Sequence, residues 1–181
     1  MKKQLLLMIS ALTLSSGLMA NETMEHKESD YYAVVKGMYI VGDDVEHGDV
    51  TLSGDSGYGF GIDLGYRLPE GFALEYDFSY TTADVHEGEE VASAEYITHA
   101  LDIVYAYEAT SQLNVFVKVG YEYEEETIDD YGIDASDDGA VFGLGCEYVL
   151  NHTYNLVLEY EHSTIEGPRG DSLNFGVMYN F

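Results

Sequence analysis

Ser172-Leu-Asn-Phe-Gly-Val-Met-Tyr-Asn-Phe181 alternates without a break. Leu173, Phe175, Val177, Tyr179 and Phe181 fall on one face of an extended chain; Asn174, Gly176, Met178 and Asn180 fall on the other. A sustained period of two is the mark of a β-strand. One face is apolar and aromatic, the other small and polar, so the question is which of them meets the core and which meets lipid.

Seven further stretches repeat the pattern. Tyr58, Phe60, Ile62, Leu64, Tyr66 and Leu68 oppose Gly57, Gly59, Gly61, Asp63, Gly65 and Arg67. After a turn at Pro69-Glu70-Gly71, whose residue types suit turns, Phe72, Leu74, Tyr76, Phe78 and Tyr80 oppose Ala73, Glu75, Asp77 and Ser79. A long polar loop is expected from Thr81 to Glu95. Then Ile97, Leu101, Ile103, Tyr105 and Tyr107 oppose Asp102 and Ala106. Past a turn near Ala109-Thr110-Ser111, Leu113, Val115, Val117, Val119, Tyr121 and Tyr123 oppose Asn114, Phe116, Lys118, Gly120 and Glu122. A second long loop is expected from Glu124 to Asp138. Phe142, Leu144, Cys146, Tyr148 and Leu150 oppose Gly139, Gly143, Gly145 and Glu147, and after Asn151-His152-Thr153 Tyr154, Leu156, Leu158 and Tyr160 oppose Asn155, Val157, Glu159 and Glu161. A loop holding Gly167-Pro168-Arg169-Gly170 leads to the last strand. The first strand, about Tyr31 to Val41, has two registers. The one with Tyr31, Ala33, Val35, Tyr39 and Val41 outward is preferred, because the other turns Lys36 to lipid at a cost of roughly 2–4 kcal/mol at the midplane.

Volume orients the faces. An eight-stranded barrel is just wide enough inside for side chains to fill it, and a comparable barrel holds about twelve in three layers. The apolar faces sum to roughly forty bulky side chains, beyond that capacity. They must lie outside, with the glycine-rich face lining a narrow lumen. Aromatic residues also sort by height: Tyr66, Phe72, Tyr105, Tyr107, Tyr148, Tyr154 and Phe181 toward one rim, Tyr58, Tyr80, Tyr123 and Tyr160 toward the other. Those are the girdles of a membrane barrel. The expectation is an all-β, eight-stranded antiparallel up-and-down transmembrane β-barrel.

The N-terminus reads as an export signal. Lys2 and Lys3 precede a largely apolar stretch from Leu5 to Leu18, with small residues before a cut after Ala20. The organisation expected is a signal peptide over 1–20, a short periplasmic segment over 21–30 and the barrel over 31–181. No segment has the ~18 consecutive apolar residues of a spanning helix. The single cysteine, Cys146, excludes an internal disulfide. Without Lys2 and Lys3 the chain has five basic side chains against 34 acidic, a formal charge of −29. That balance excludes nucleic acid, which calls for clustered Lys and Arg.

Tyr31-Tyr-Ala-Val-Val-Lys36-Gly, Gly61-Ile-Asp-Leu-Gly-Tyr66-Arg, Val117-Lys118-Val-Gly120-Tyr121 and Gly143-Leu-Gly-Cys-Glu-Tyr148 resemble segments of the small outer-membrane barrel superfamily of OmpA-like, OmpX-like and opacity-type, porin-like proteins. The resemblance covers about Tyr31 to Phe181 and is specific for architecture rather than function. It implies residence in a Gram-negative-type outer membrane, contact with outer-membrane lipid and lipopolysaccharide, and a monomer. It also implies that Tyr179 and Phe181 are the terminal aromatic signature read by the barrel-assembly machinery. Nothing in the chain corresponds to the periplasmic peptidoglycan-binding domain of full-length OmpA-type proteins, so anchoring to the cell wall by that route is not expected.

Three places are candidates for chemistry. Lys36, Arg67 and Lys118 point into the lumen with Asp63, Glu75, Asp77, Asp102, Glu122, Glu147 and Glu159; the resemblance implies a structural ion network, and the carboxylate excess suits a narrow cation-preferring path. The loops are acidic, densest at Glu124, Glu125, Glu126, Asp129, Asp130, Asp134, Asp137 and Asp138. Oxygen ligands of this kind attract divalent cations, but the spacing of a dedicated calcium loop is absent. Lipid hydrolysis is the third. Some barrels of this size deacylate lipid A with an outward His and a Ser two residues later; here His162 is followed by Thr164 at that place, with Ser163 on the other face. No enzyme, cofactor or metal site is expected, and His47, His86, His99 and His152 show no metal-ligand spacing. A structural or adhesion-type surface role ranks first, limited permeation second and hydrolysis a distant third.

Overall fold

The protein is described by a computed structural model over residues 30–47 and 50–181; the expected signal peptide and nearly all of the segment after it lie outside the described residues. The strands are β1 (Tyr31–Gly42), β2 (Asp44–His47), β3 (Val50–Gly54), β4 (Gly57–Arg67), β5 (Phe72–Glu87), β6 (Glu90–Thr110), β7 (Leu113–Ile128), β8 (Ile133–Val149), β9 (Tyr154–Ser163) and β10 (Arg169–Asn180). Eight of them close a barrel in the order β1-β4-β5-β6-β7-β8-β9-β10, with β10 returning to β1. Every pairing is antiparallel, and β2–β3 is an extra hairpin laid beside β5. The eight-stranded barrel read from the alternation is the fold observed.

The faces sort as expected. Outside, Val35, Leu101 and Phe175 are 63%, 69% and 59% exposed; inside, Lys36, Asp63 and Asn174 are 3%, 3% and 1%. β1 takes the register that places Lys36 in the lumen, with Tyr31, Val35, Tyr39 and Val41 outward. Cross-strand ring pairs mark both rims: Tyr31–Tyr66, Phe72–Tyr105 and Tyr154–Tyr179 at one, Tyr39–Tyr58 and Phe60–Tyr80 at the other. The first rim carries the short turns. At Gly71 φ is +85°, and a Cβ there would come within 2.6 Å of the Ala106 carbonyl oxygen, so glycine is required. Asn151 Oδ1 caps the β8–β9 turn by accepting from the amides of Thr153 and Tyr154. Short turns face the periplasm in barrels of this kind.

The long connections correct the sequence reading. Thr81 to Glu95 and Glu124 to Asp138 are not loops: β5 and β6 run on to a turn at Gly88-Glu89, and β7 and β8 to a turn at Asp129–Tyr131. Alternation persists there with its polarity reversed. Ala83, Val85, Ala92, Ala94 and Tyr96 point in and are buried, while Thr82, Asp84, Ser93 and Glu95 point out. Above the outer girdle the exterior is water rather than lipid, so the apolar face turns inward. Ile40, Val85, Ala94, Tyr96 and Ile128 form the centre of an apolar cluster in this outer head, with Leu52, Tyr131 and Ile133 packed against it. A second cluster, Tyr32, Val34, Ala73, Val104, Phe116, Val157 and Met178, fills the periplasmic half. Between the two lie the charges.

Candidate functional site: a charged lumen beneath an acidic head

Two lysines from opposite walls organise the middle layer. Lys36 Nζ lies 2.9 Å from Asp63, 3.9 Å from Glu159 and in direct contact with Asp77. Lys118 Nζ lies 2.8 Å from both Glu159 and Glu161, 3.5 Å from Asp77, 3.8 Å from Glu75 and 4.0 Å from Asp102. Six buried carboxylates thus share two ammonium groups. Charges removed from water must be paired to be tolerated, and Asp102 is the weakest served: both its oxygens lack a hydrogen-bond partner among the described residues. Tyr32 extends the network downward, its hydroxyl donating to Glu75 at 2.8 Å.

The glycines of the inner face make this layer fit. Lys36 stands directly across from Gly61, Tyr32 from Gly65, Asp102 from Gly120, Lys118 from Gly143 and Phe116 from Gly145. A Cβ at Gly61 would meet Lys36 Cε at 2.7 Å, and one at Gly143 would meet Glu159 Oε1 at 2.8 Å. Large side chains lie across the lumen because their cross-strand neighbours have none.

Not every expected member joins. Arg67 stays at the periplasmic mouth, where its Nη2 donates to Asn180 Oδ1 at 2.7 Å and its guanidinium stacks 4.6 Å above the Tyr32 ring. Glu147 is buried there too, near Asn114 and Asn155. Glu122 belongs to a separate upper group: Arg169 holds it at 2.7 Å and Glu124 at 2.5 Å, and the Ser163 hydroxyl donates to it. Glu161 has the inward parity of its strand and was legible as a lumen residue. Arg169 was not: the β1–β10 register slips between Ile40↔Ser172 and Gly42↔Arg169, and this bulge reverses the facing of Arg169. A void of about 20 Å³ lies beside Asp63, Glu75 and Phe116, and a larger one of about 280 Å³ opens at the periplasmic mouth beside Arg67, Asn114 and Asn155.

On the outer surface the carboxylates are exposed, among them Asp44, Glu87, Glu90, Glu125, Asp134 and Asp138. No described Lys or Arg accompanies them, since Lys36, Lys118 and Arg169 are buried and Arg67 sits at the other end. Asp171 binds the Tyr160 hydroxyl and lies 2.6 Å from His162 Nδ1, while Tyr121 binds Asp138. The hydrolase arrangement is not assembled: the Ser163 hydroxyl is turned to Glu122, and Thr164 Oγ1 accepts from the Ala140 amide. Among the described residues no group of three or more His, Cys, Asp or Glu is placed to hold a metal ion. Tyr179 and Phe181 pack edge-to-face at 5.0 Å on the outside of the periplasmic rim.

Comparison with known proteins agrees with this geometry. A family model described as outer membrane protein beta-barrel domain matches residues 9–181. The outer membrane protein OprG of Pseudomonas aeruginosa superposes with a TM-score of 0.64 at 14% identity, over 85% of this chain and 97% of that one. Neisserial surface protein A gives 0.61 at 16%, over 86% and 100%. Ail, the attachment invasion locus protein of Yersinia pestis, gives 0.56 at 12%, over 84% and 99%. At such identities the likeness is one of fold. No curated protein sequence matches the chain.

Proposed function

Because the chain belongs to the family of outer membrane protein β-barrel domains and resides in the outer membrane of Gram-negative bacteria, we propose that it is a surface-contact protein, a sealed barrel that presents a rigid acidic head to cationic partners. One observation carries the reading: four barrel strands continue past the outer girdle as a sheet with its own apolar core and an exterior that bears exposed carboxylates and no described Lys or Arg. Rigid carriage of a polar surface suits recognition. Ail has been crystallised with the heparin analogue sucrose octasulfate; the head here carries the same sign of charge as that polyanion and suits a positive partner instead. The test is retention of nanodisc-embedded protein on cationic, neutral and anionic surfaces. Retention on the cationic surface alone is expected, and Glu125→Gln, Asp129→Asn, Asp130→Asn and Asp134→Asn together should abolish it. Equal retention of that variant would overturn the reading.

A narrow cation path is the second reading, favoured by the six carboxylates gathered around Lys36 and Lys118. It requires water to pass two apolar layers, the lower of which borders the void at the periplasmic mouth. Planar-bilayer recording decides it: a discrete, cation-preferring conductance that Asp77→Asn and Glu159→Gln reduce would place permeation first.

A further inference from the structure

Closure removes the strand edges of a barrel, but the head is not closed. β8 begins at Ile133, whereas β9 covers it only from Val141↔Ser163 onward, with one last contact from the Thr164 amide to the Ala140 carbonyl. Among the described residues, 133–139 therefore pair with β7 alone, from Ile128↔Ile133 to Glu122↔Gly139. The parity of the free groups follows from Ala140, which donates to Thr164 Oγ1 and accepts from the Thr164 amide on the side away from β7. Main-chain groups of an antiparallel strand alternate sides, so those of Asp134, Ser136 and Asp138 also point into the open. The Asp138 amide is occupied locally, by Asp137 Oδ1 at 2.8 Å. Asp134 to Asp138 are exposed on both faces. The edge is held straight by β7 and spans about 23 Å at the usual strand rise.

Its charge selects what can pair with it. Asp134, Asp137 and Asp138 line the edge, and the exposed Glu125 follows on β7. A second copy of this chain would bring an equally acidic edge and be repelled, which guards against self-association. A strand with Lys or Arg at alternate positions would gain both main-chain hydrogen bonds and opposite charge. We infer that the upper edge of β8 docks an extended basic polypeptide by strand addition, a mode that takes affinity from main-chain bonds and selectivity from side chains. The inference rests on the surface-contact reading and specifies its partner. Among the described residues the other open edge, β2, is only four residues long.

The test uses nanodisc-embedded protein and a fluorescent nine-residue peptide of alternating lysine and threonine, beside the same peptide N-methylated at every second amide with its charge unchanged. The parent peptide should bind, and the N-methylated one at least about tenfold more weakly, as expected from losing two or more hydrogen bonds. Ser136→Pro should produce a comparable loss, since it removes an amide aimed at the open side and leaves both the β7 ladder and every charge in place. Asp134→Asn with Asp138→Asn should weaken binding and flatten its salt dependence. Heat-modifiable gel migration verifies that each variant is folded. If both peptides bind equally, or neither binds while the protein is still retained on cationic surfaces, strand addition is refuted and surface contact stands. If neither binds and cationic retention is also absent, both are refuted.

Discussion

Tyr32 crosses the lumen because the residue directly opposite it on β4 is Gly65. A Cβ at Gly65 would fall within the Tyr32 ring, so Gly65→Ala must displace that ring and the bond its hydroxyl makes to Glu75. Overpacking of this kind costs about 1–3 kcal/mol, and the expected sign is a lower unfolding temperature of the heat-modifiable band. Lys118 is the more consequential position. Lys118→Ala leaves Glu159 and Glu161 buried without their nearest cation, and breaking such a cluster costs about 3–5 kcal/mol. Adding Glu159→Gln and Glu161→Gln to Lys118→Met should recover most of the loss, because the penalty belongs to the uncompensated charges. Urea unfolding of detergent-refolded protein measures both effects. Single residues announced their lumen facing through strand parity; their partners did not, since a partner depends on cross-strand register.

At the level of elements, the continuation of β5 to β8 beyond the outer girdle is what the sequence reading took for loops. The signal was present in Ala83, Val85, Ala92 and Ala94, but with the apolar face turned inward and made of small residues, next to many carboxylates. A search for bulky outward faces passes over it. Within this head, burial lifts the Glu126 carboxyl above its ordinary range. A carboxyl with a raised folded pKa binds more protons folded than unfolded, so its contribution to stability is greatest below the ordinary carboxylate range and falls as pH rises through the raised value. Head stability, followed by hydrogen exchange of the β7–β8 amides, should therefore decline from acidic to neutral pH. Glu126→Gln should make that decline shallower; an unchanged slope would assign it to general repulsion among the surface carboxylates.

For the molecule as a whole, the lumen consists of an apolar layer, a charged layer and a second apolar layer. Steady conductance is not expected of such a stack. Phe116→Gly with Tyr32→Ala removes bulk from the lower layer and should not by itself raise conductance above that of the wild type, because the upper layer around Tyr96 and Ile128 persists. The formal charge of −27 on the full chain governs encounter. Association with a cationic surface should be fast at low salt and should weaken as the screening length falls toward about 8 Å at physiological ionic strength. Binding to a sulfated polyanion should be undetectable at any of these salts, as a surface-retention series would register.

Alternation, turn residues and the volume of bulky side chains were enough, from the sequence by themselves, to determine an outward-facing eight-stranded barrel with Lys36 and Lys118 inside. These are local or additive properties, and a period of two reports facing wherever a strand is regular. The pairing of lysines with particular carboxylates, the entry of Arg169 through a bulge, the folded head and its open β8 edge were decided only by the tertiary structure. Each depends on which strands stand side by side and in what register, and on where the surrounding medium changes from lipid to water, which inverts the rule that assigns the apolar face.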